Sequence, residues 1–499
     1  MSTKSVTAHM CVSPYARMND RNGNDGYVER EERAGIRDDG NDTDTRADFA
    51  LVQHLTDLGN AKRFVLQHGA NVRYIPARGG WFVWDHRRWR LDDTAEIERW
   101  GKQTAAAIWG EVQLESDSDE KKRIAAWAHK SEGAARLEAM LRLAQSEAEV
   151  VARVEELDAD PFLFNVLNGT IDLRTGALQP HRRKDLLTAL APVHYDPAAT
   201  CPTWLAFLDR ILAGDTPLIA FVQRFTGYAL TGDTSEQVLF LLHGPGANGK
   251  STWVEAVRGV LGDYAQQADF ATFLSLRDDG RPRNDIARLA GARFVAAIEV
   301  EGGKRLNESL VKQLTGSDTI TARYLYREFF EFVPQFKIFL AANHKPTIRE
   351  MNTAMWRRVR LVPFTVTIPP EERDRTLPAK LRAEQPGILA WAVRGCLNWQ
   401  QCGLGEPEAV RKATSAYKEE MDVLGAFVRE CCVVDENAQV GAEALYKEFR
   451  EWCDRNGEHH GTRSRLRQRL LEGGFEQVRQ KSGMRWIGIG LTTEVQGAG

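Results

Sequence analysis

Residues 238–252, VLFLLHGPGANGKST, decide the fold that this sequence predicts. The first five are apolar and predict a strand that is buried on both faces, as in the parallel sheets of α/β proteins. A glycine-rich turn follows, and residues 253–261 have a helical pattern that ends at Gly262, a C-cap signal. The order of strand, turn and helix therefore predicts an α/β domain built on a parallel sheet.

The turn matches the pattern GxxxxGK[ST], which binds phosphate when a strand precedes it and a helix follows. Its glycines let backbone N–H groups point at phosphate oxygens, and the helix adds the positive end of its dipole. We expect Lys250 to reach the β- and γ-phosphates of ATP and the Ser251 hydroxyl to ligate Mg²⁺. The predicted nucleotide site consists of Gly244, Pro245, Gly246, Ala247, Asn248, Gly249, Lys250, Ser251 and Thr252.

Two further apolar runs predict strands that end in polar side chains. Residues 293–298 lead to Glu299, and residues 336–342 lead to Asn343. An acid at the carboxyl end of a strand beside a P-loop can hold Mg²⁺ and its water, a role for which Glu299 is the first choice and Glu301 the reserve. An amide in the place of Asn343 can orient the attacking water. These catalytic candidates depend on the P-loop, because apolar strands that end in Glu are common.

Length and composition describe a multidomain protein without an overall basic charge. The chain has 499 residues, which is too many for one hydrophobic core. Its 66 Lys and Arg against 69 Asp and Glu give a net charge of −3, so binding to nucleic acid has to depend on local basic surfaces. No apolar run approaches the ~20 residues of a membrane helix. The polar N-terminus predicts no signal peptide, and together these features predict a cytoplasmic protein without a membrane partner.

The sequence around the P-loop predicts five segments. Residues 1–46 contain hardly any aliphatic side chains and are predicted to be disordered. Residues 47–203 combine helical patterns with strand-turn units and predict an α+β domain. The P-loop domain spans residues 204–368, a helical region spans residues 369–433, and residues 434–492 predict a winged helix.

An aromatic-rich stretch, residues 80–89, predicts a hairpin with its turn at Asp85-His86. Its three tryptophans lie beside Arg87, Arg88 and Arg90 and could stack nucleic-acid bases. The core of a small sheet is the commoner explanation for such a cluster, and we prefer it.

Near the C-terminus, the pattern predicts a helix from Pro407 to Val433 and then the winged helix. The second helix of that module carries Arg463, Arg465, Arg467 and Arg469, which suggests contact with duplex DNA. Arg465 and Arg469 are the candidate DNA-binding residues. A solvated charged face or a protein-docking surface are the alternatives.

In this order, the parts resemble a superfamily 3 helicase, the compact AAA+ type encoded by small viruses, phages and plasmids. Within that superfamily the sequence is most similar to primase-helicase proteins of phages, plasmids and poxviruses. The resemblance covers roughly residues 60–490. The stretches that carry it include 164–169 (FNVLNG), 188–202, 227–233 (GYALTGD), 312–318 (KQLTGSD) and 343–346 (NHKP).

The resemblance implies a homo-hexameric ring with ATP bound between subunits. Glu299 and Asn343 would act within one subunit, and an arginine of the neighbouring subunit would stabilise charge in the transition state. Arg358 matches the position of this arginine finger best. Arg357 could be structural instead, the two could be exchanged, or both could make only surface salt bridges.

The resemblance also implies that a hairpin between Thr319 and Val333 lines the ring channel and holds single-stranded DNA by its phosphates. Some viral relatives carry a Lys-His pair at the tip, which this chain lacks. Arg323, Arg327 and Lys337 are the candidate cations, and the sequence does not decide among them.

We therefore expect an ATP-dependent replicative DNA helicase of a phage, prophage or plasmid, acting in the bacterial host cytoplasm. The family suggests movement along single-stranded DNA in the 3′ to 5′ direction, with duplex or origin DNA as a partner of the winged helix. The first 46 residues leave no room for the primase domain of longer relatives, so a separate primase is a candidate partner. The alternatives are a DNA-binding initiator whose ATPase drives assembly and origin melting, and an ATPase of a defence or packaging system.

Overall fold

Helices and two small antiparallel sheets form the N-terminal part of the described structure. The computed structural model describes residues 54–275, 284–299, 304–324, 328–481 and 483–492, which all fall in one structural unit. The first helices are α1 (Asp57–His68), α2 (Glu96–Leu114), α3 (Ser118–Ser131) and α4 (Ala134–Ala144). One sheet consists of β1 (Val72–Ile75), β2 (Gly80–Trp84) and β3 (Trp89–Leu91), and the other of β4 (Leu163–Val166), β5 (Gly169–Asp172) and β6 (Ala177–Gln179). The predicted mixture of helices and strand-turn units is confirmed.

The β2–β3 hairpin buries two of its three tryptophans. Trp89 is fully buried and Trp84 is 7% exposed. Both pack against Ile75 and Phe82 in one small core. Because these rings are covered by other side chains, they have no free face for a base, and the interpretation as the core of a small sheet is confirmed for them.

A five-stranded parallel sheet is the central feature of the fold. The strands in chain order are β7 (Leu239–His243), β8 (Ala265–Gln267) and β9 (Phe294–Ile298), then an antiparallel hairpin of β10 (Ile320–Arg323) and β11 (Phe329–Phe332), then β12 (Lys337–Ala342) and β13 (Val359–Pro363). Within the sheet the order is β13-β7-β12-β9-β8, and every neighbouring pair is parallel. The prediction of an α/β fold with a parallel sheet is confirmed.

Two hydrophobic cores lie on the two faces of this sheet, because successive side chains of a strand point to opposite faces. One core takes up the aromatic rings of Phe240, Phe294 and Phe339. It is covered by α5 (Pro202–Ile211), α6 (Thr216–Tyr228), α7 (Lys250–Leu261), α11 (Leu377–Ala383) and α12 (Gln385–Cys402). The other core takes up Leu239 and Ile338, and is covered by α8 (Asn284–Ala287), α9 (Glu308–Leu314), α10 (Thr353–Trp356) and α13 (Glu408–Met421). Burial on both faces explains why these strands read as continuous apolar runs.

The first of these cores extends beyond the expected start of the P-loop domain. Phe164 and Ile171, on β4 and β5, are fully buried in the same core as Trp204 and Phe240. The predicted boundary between residues 203 and 204 therefore does not separate two hydrophobic cores.

Helices α6 and α12 cross closely at two glycines. A Cβ atom on Gly227 would lie 2.0 Å from the backbone nitrogen of Cys396, and one on Gly395 would lie 2.1 Å from the carbonyl oxygen of Gln223. We therefore expect Gly227→Ala to lower the free energy of unfolding by about 3 kcal/mol or more. A Cβ atom on Gly110, within α2, would meet no atom within 4 Å, so Gly110→Ala should keep or slightly raise stability. Chemical denaturation of both variants measures the difference, and equal stability would contradict the close crossing.

The C-terminal part begins with a helix that the sequence did not separate from its predecessor. The prediction of a single helix from Pro407 to Val433 is wrong, because α13 ends at Met421 and a separate helix, α14 (Val423–Cys431), follows. The Asp422 carboxylate caps α14 by accepting from the Gly425 N–H at 3.0 Å. The remaining elements are β14 (Cys432–Gly441), α15 (Ala442–Asn456), α16 (Arg463–Glu472), β15 (Glu476–Gln480) and β16 (Gly483–Leu491). The expected helix pair and hairpin are present, β14 adds a third antiparallel strand, and the winged-helix assignment stays a prediction.

Three predictions lie outside the described residues: the disordered segment 1–46, the reserve acid Glu301 and the candidate DNA contact Arg327. Among the helices of the described ranges, none combines the length and the apolar character needed to cross a bilayer.

Candidate nucleotide site and DNA-contacting surfaces

Three strand ends meet at the carboxyl edge of the parallel sheet. Strand β12 lies between β7 and β9, and Ala342 is paired with His243 while Ala341 is paired with Ile298. Because the three strands run in the same direction and in this register, the P-loop, Asn343 and Glu299 follow side by side. The edge where ligands bind in open α/β sheets is the one that carries these groups.

The P-loop favours glycine at two positions, one because of its backbone conformation and one because of close packing. Gly249 has φ of 83°, in the left-handed region that favours glycine. A Cβ atom on Gly244 would lie 2.0 Å from the carbonyl oxygen of Phe364, which follows β13. Asn248 closes the loop by donating to the same carbonyl at 3.2 Å. The sequence pattern is therefore explained by close packing of the loop against the neighbouring strand.

Lys250 holds a buried charge at the first position of α7. Its side chain is only 6% exposed. The ammonium donates to the Gly244 carbonyl at 2.7 Å and to the side-chain oxygens of Asn248 and Asn343, each at 3.0 Å. Burial lowers the pKa of Lys250 to about 8, and Glu299 opposes this shift. The surrounding oxygens compensate for part of the cost of burying the cation.

Glu299 and Asn343 are connected directly. One carboxylate oxygen of Glu299 accepts from the backbone N–H groups of Asn343 at 2.8 Å and His344 at 2.9 Å. Asn343 in turn accepts from Lys250 through its side chain. The structure thus brings together three residues that are separated by up to 93 positions in the sequence, and the catalytic roles expected of them stay predictions.

These residues fit a nucleoside triphosphate with Mg²⁺. The loop presents a buried ammonium and the N-terminus of a 12-residue helix, both of which favour a phosphate group. Ser251 is exposed in the first turn of α7, while Glu299 is half-buried at the adjacent strand end. A hydroxyl and a carboxylate are oxygen ligands suited to Mg²⁺.

ATP affinity is expected to fall as pH rises through about 8. The ammonium form of Lys250 is the one expected to bind phosphate, and with a pKa of about 8 the side chain is mostly charged at pH 7 and mostly neutral at pH 9. Affinity should therefore be about tenfold weaker at pH 9 than at pH 7. Lys250→Arg stays charged over this range and should show no such dependence. Titration with a fluorescent ATP analogue tests this, and a flat profile for the wild type would contradict it.

The loop after Asn343 is attached to a distant helix, which the sequence pattern did not indicate. Lys345 forms an ion pair with Glu420 at 2.7 Å. The buried Tyr417 hydroxyl donates to the Pro346 carbonyl. Both partners lie on α13, about 70 residues further along the chain. The sequence around Tyr417 and Glu420 shows only the apolar spacing of a helix, and this spacing does not indicate which loop the helix contacts.

The two candidate arginine fingers differ in exposure. Arg358 is 8% exposed, and its guanidinium donates to the Thr315 hydroxyl at 3.2 Å and to the Ala354 carbonyl. Burial lowers the pKa of Arg358, and Arg357 acts in the same direction. Arg357 is exposed and donates to the Gln237 side chain at 2.7 Å. The Arg357 guanidinium can therefore reach another molecule without a change in the packing of this chain, whereas the Arg358 guanidinium cannot.

The hairpin expected to contact DNA presents one cation on an exposed aromatic ring. Arg323 on β10 is half-buried and lies over Phe329 of β11, with 4.6 Å between guanidinium carbon and ring centroid. Phe329 is 61% exposed. The hairpin itself is confirmed, and the DNA contact of Arg323 stays a prediction.

Lys337 does not lie on this surface. It is 2% exposed, and its ammonium donates to the carbonyls of Thr231 and Asp233 and lies 4.5 Å from the ring centroid of Tyr228. Desolvation by burial, and then the neighbouring Arg293, holds the pKa of Lys337 well below its ordinary value. The expectation that Lys337 contacts DNA is wrong for this reason: its ammonium stabilises the turn before β7 instead.

The arginines of α16 make contacts within the chain. Arg469 forms an ion pair with Asp422 at 2.6 Å, and Arg463 pairs with Glu443. The exposed Arg465 donates to the Arg349 carbonyl at 3.4 Å. Contact of Arg465 and Arg469 with DNA stays a prediction, and for Arg469 it requires the loss of an ion pair.

Family models match three separate segments of the chain. Residues 61–213 match the model described as D5 N terminal like, and residues 419–488 match the one described as Poxvirus D5 protein-like. Residues 242–358, which contain the P-loop and both candidate fingers, match a family of unknown function (DUF5906).

Curated relatives come from large DNA viruses. A "Putative helicase" of Acanthamoeba polyphaga mimivirus is 27% identical over 61% of this chain and 34% of its own length. A "Putative helicase" of Frog virus 3 is 25% identical over 68% of this chain and 43% of its own length. A "Putative primase" of African swine fever virus is 25% identical over 42% of this chain and 22% of its own length.

The chain resembles the D5-like helicases and primases of viruses. This confirms the resemblance to poxvirus primase-helicases at the level of that broad group. The matched regions span less than half of the length of these relatives. Among solved structures, the apo C-terminal region of NrS-1 has a TM-score of 0.49 and 10% identity, with 86% of this chain and 98% of that chain covered.

Proposed function

We propose that the chain is the motor of an ATP-dependent replicative DNA helicase of the superfamily 3 AAA+ type. The observation that carries the proposal is the contact network of Lys250, Asn343 and Glu299 at three adjacent parallel strand ends. A phosphate-binding lysine, an amide and a carboxylate in this arrangement are the parts that a nucleotide hydrolase needs. The viral relatives named as helicases and primases support an enzyme that acts on DNA.

Each group has a proposed role in hydrolysis. Lys250 binds the β- and γ-phosphates, Ser251 and Glu299 hold Mg²⁺, and Asn343 orients the attacking water. Bound Mg²⁺ would neutralise charge that develops on the phosphate oxygens. The Lys250 ammonium already donates to oxygen acceptors in the loop, so it is positioned for phosphate before the nucleotide arrives.

The site is proposed to be completed by a second copy of the chain in a hexameric ring. We assign the arginine finger to Arg357, since it is exposed, and a positioning role to Arg358, since it is tied to Thr315 and Ala354. This exchanges the order of preference that the resemblance gave. An exposed guanidinium can approach a neighbour's γ-phosphate, whereas the buried one supports the segment that carries it.

Two surfaces are proposed to contact DNA. Arg323 and Phe329 on the β10–β11 hairpin would hold single-stranded DNA in the ring channel through phosphate contact and stacking. The C-terminal module, as a winged helix, would contact duplex or origin DNA through Arg465. Hydrolysis would then move the ring along one strand, in the 3′ to 5′ direction that the family suggests.

The rate of ATP hydrolysis with and without single-stranded DNA tests this function. We expect a generic single-stranded oligonucleotide to raise the rate, and the mass in solution with ATP and DNA to be that of a ring. The absence of ATP hydrolysis would contradict the proposal. So would full hydrolysis by a 56.1 kDa monomer at a rate that DNA does not change.

A further inference from the structure

Four exposed cations in the N-terminal part belong to the β2–β3 hairpin and to the segment that contacts it. Arg87 belongs to the hairpin turn, and Arg182, Arg183 and Lys184 follow β6. We call these four residues the basic ridge. Within the described residues, no side chain of the ridge makes an ion pair or a hydrogen bond. Cations that have no hydrogen-bonded partner in the part of the chain that the structure describes are available to an external anion.

A buried asparagine and a buried tryptophan hold the ridge together. The Asn165 amide donates to the Arg87 carbonyl at 3.0 Å, and its oxygen contacts the His181 ring nitrogen at 2.9 Å. The indole N–H of Trp89 donates to the Arg183 carbonyl at 2.8 Å. Residues 181–184 are therefore fixed against the hairpin by groups that are themselves buried. The fold therefore fixes the backbone from which these cations extend.

The acids of this region leave the ridge positively charged. Asp85 accepts from the backbone N–H groups of Arg87 at 2.9 Å and Arg88 at 2.8 Å. Glu156 accepts from the Arg153 N–H at 2.6 Å. Asp185 is half-buried, and desolvation raises its pKa from the ordinary value, while the charges of Arg182 and Lys184 oppose this shift. These carboxylates serve local turns or are partly withdrawn from solvent.

A neighbouring guanidinium responds to the charge of the ridge. Arg73 lies over the Trp89 ring at 4.7 Å and is half-buried. Burial lowers the pKa of Arg73 first, Arg183 lowers it further, and Glu156 opposes them. Arg183 therefore lies close enough to Arg73 for the two positive charges to repel each other.

We propose that the basic ridge binds the phosphate backbone of DNA, as a contact site separate from the P-loop domain. Arginine and lysine side chains without partners bind phosphates in this way, and arginine can do so with two parallel hydrogen bonds. Trp84 and Trp89 beneath the ridge are buried, so no stacking on bases is expected there. Binding should therefore be independent of sequence and sensitive to salt.

The inference rests on the proposed function for the choice of DNA as the anion. The triple substitution Arg182→Ala, Arg183→Ala, Lys184→Ala removes three charges of the ridge. The matched control is Lys121→Ala, Lys122→Ala, Arg123→Ala on α3, where Lys122 and Arg123 already pair with Asp119 and Glu120. Both triples change the net charge equally in the N-terminal part, and neither touches the nucleotide site.

Fluorescence anisotropy with labelled single-stranded and duplex oligonucleotides, without ATP, measures the contact. For the ridge triple we expect about tenfold weaker binding, and a slope of log K against log salt that is smaller by about 2 for single strands, since each phosphate contact contributes about 0.7. The control triple should stay within about twofold of the wild type. Arg182→Lys with Arg183→Lys should keep most of the affinity, because the charges remain.

Three outcomes overturn the ridge proposal. The first is no DNA binding by the wild type, and the second is an equal loss of DNA affinity in both triple variants. The third is displacement of DNA by polyglutamate at equal charge, which would indicate an acidic protein partner. ATP hydrolysis without DNA, measured on the same proteins, separates this result from the proposed function. If no protein hydrolyses ATP and the ridge triple alone loses DNA, the helicase proposal fails and the ridge stands. If hydrolysis is intact and the ridge triple binds DNA normally, the ridge fails alone.

Discussion

Lys250→Ala is expected to lower the rate of ATP hydrolysis by at least about a hundredfold. The substitution removes the buried ammonium that would bind the β- and γ-phosphates, and leaves its acceptors at Gly244, Asn248 and Asn343 without their donor. No other cation among the described residues is bonded to this set of oxygens, so nothing replaces it. Steady-state release of phosphate measures the loss.

The control for this prediction is Lys418→Ala, which removes an exposed lysine from α13. It should hydrolyse ATP at the rate of the wild type. A Lys250→Ala protein that is folded, by its thermal transition, and retains hydrolysis within about tenfold of the wild type would remove Lys250 from its proposed role.

Arg357→Ala is expected to leave nucleotide binding unchanged and to lower hydrolysis by about a thousandfold, the lower range measured for arginine fingers. Its side chain is exposed and contributes one hydrogen bond, to Gln237, so the fold should not depend on it. Arg358→Ala is expected to lower thermal stability instead, because it leaves the buried Thr315 and the Ala354 carbonyl without their partner. Binding, hydrolysis and melting of the two variants separate these roles.

Mixing subunits tests whether Arg357 acts on a neighbour. In a ring assembled from equal amounts of Arg357→Ala and Lys250→Ala chains, roughly a quarter of the interfaces combine an intact P-loop with an intact arginine. Hydrolysis should therefore return in the mixture, although each variant alone is inactive. If Arg358→Ala chains replace the Arg357→Ala chains in this mixture, the rate of ATP hydrolysis should depend only on the fraction of Arg358→Ala protein that folds. Absence of recovery at every ratio would contradict a role in trans.

The arrangement of the proposed nucleotide site could be predicted from the sequence because its signals are local. The apolar strand before the P-loop, the glycines and the helix after it are contiguous, and Glu299 and Asn343 each close an apolar run. Parallel strands bring their carboxyl ends together whatever the connections between them. That all three groups lie on one edge could therefore be expected, whereas their direct contact depends on β12 lying between β7 and β9.

The roles of single cations could not be predicted, because burial is decided by distant segments. Lys337 begins an apolar strand near the expected DNA hairpin, but the turn at Thr231 and Asp233, about a hundred residues earlier, encloses it. Arg357 and Arg358 are adjacent in the sequence, but the buried Arg358 contacts Thr315, 43 residues earlier, whereas Arg357 is exposed. Periodicity alone carries no information about such partners.

The break between α13 and α14 has a different reason. The sequence from Glu408 to Cys431 has a helical pattern throughout, so one helix was expected. Asp422 interrupts it because its carboxylate caps the next helix and also pairs with Arg469, 47 residues away. Side chains of Asp compete with helix interiors for backbone N–H groups, but whether they succeed depends on tertiary contacts.

Displacement of a labelled strand from a forked DNA duplex tests the central claim most directly. We expect the wild type to release the strand with ATP and Mg²⁺, and to release none with a non-hydrolysable analogue. Lys250→Ala should release none with ATP. A wild-type protein that hydrolyses ATP in the presence of DNA but leaves the generic fork intact would contradict a helicase and favour an initiator that melts only its own origin.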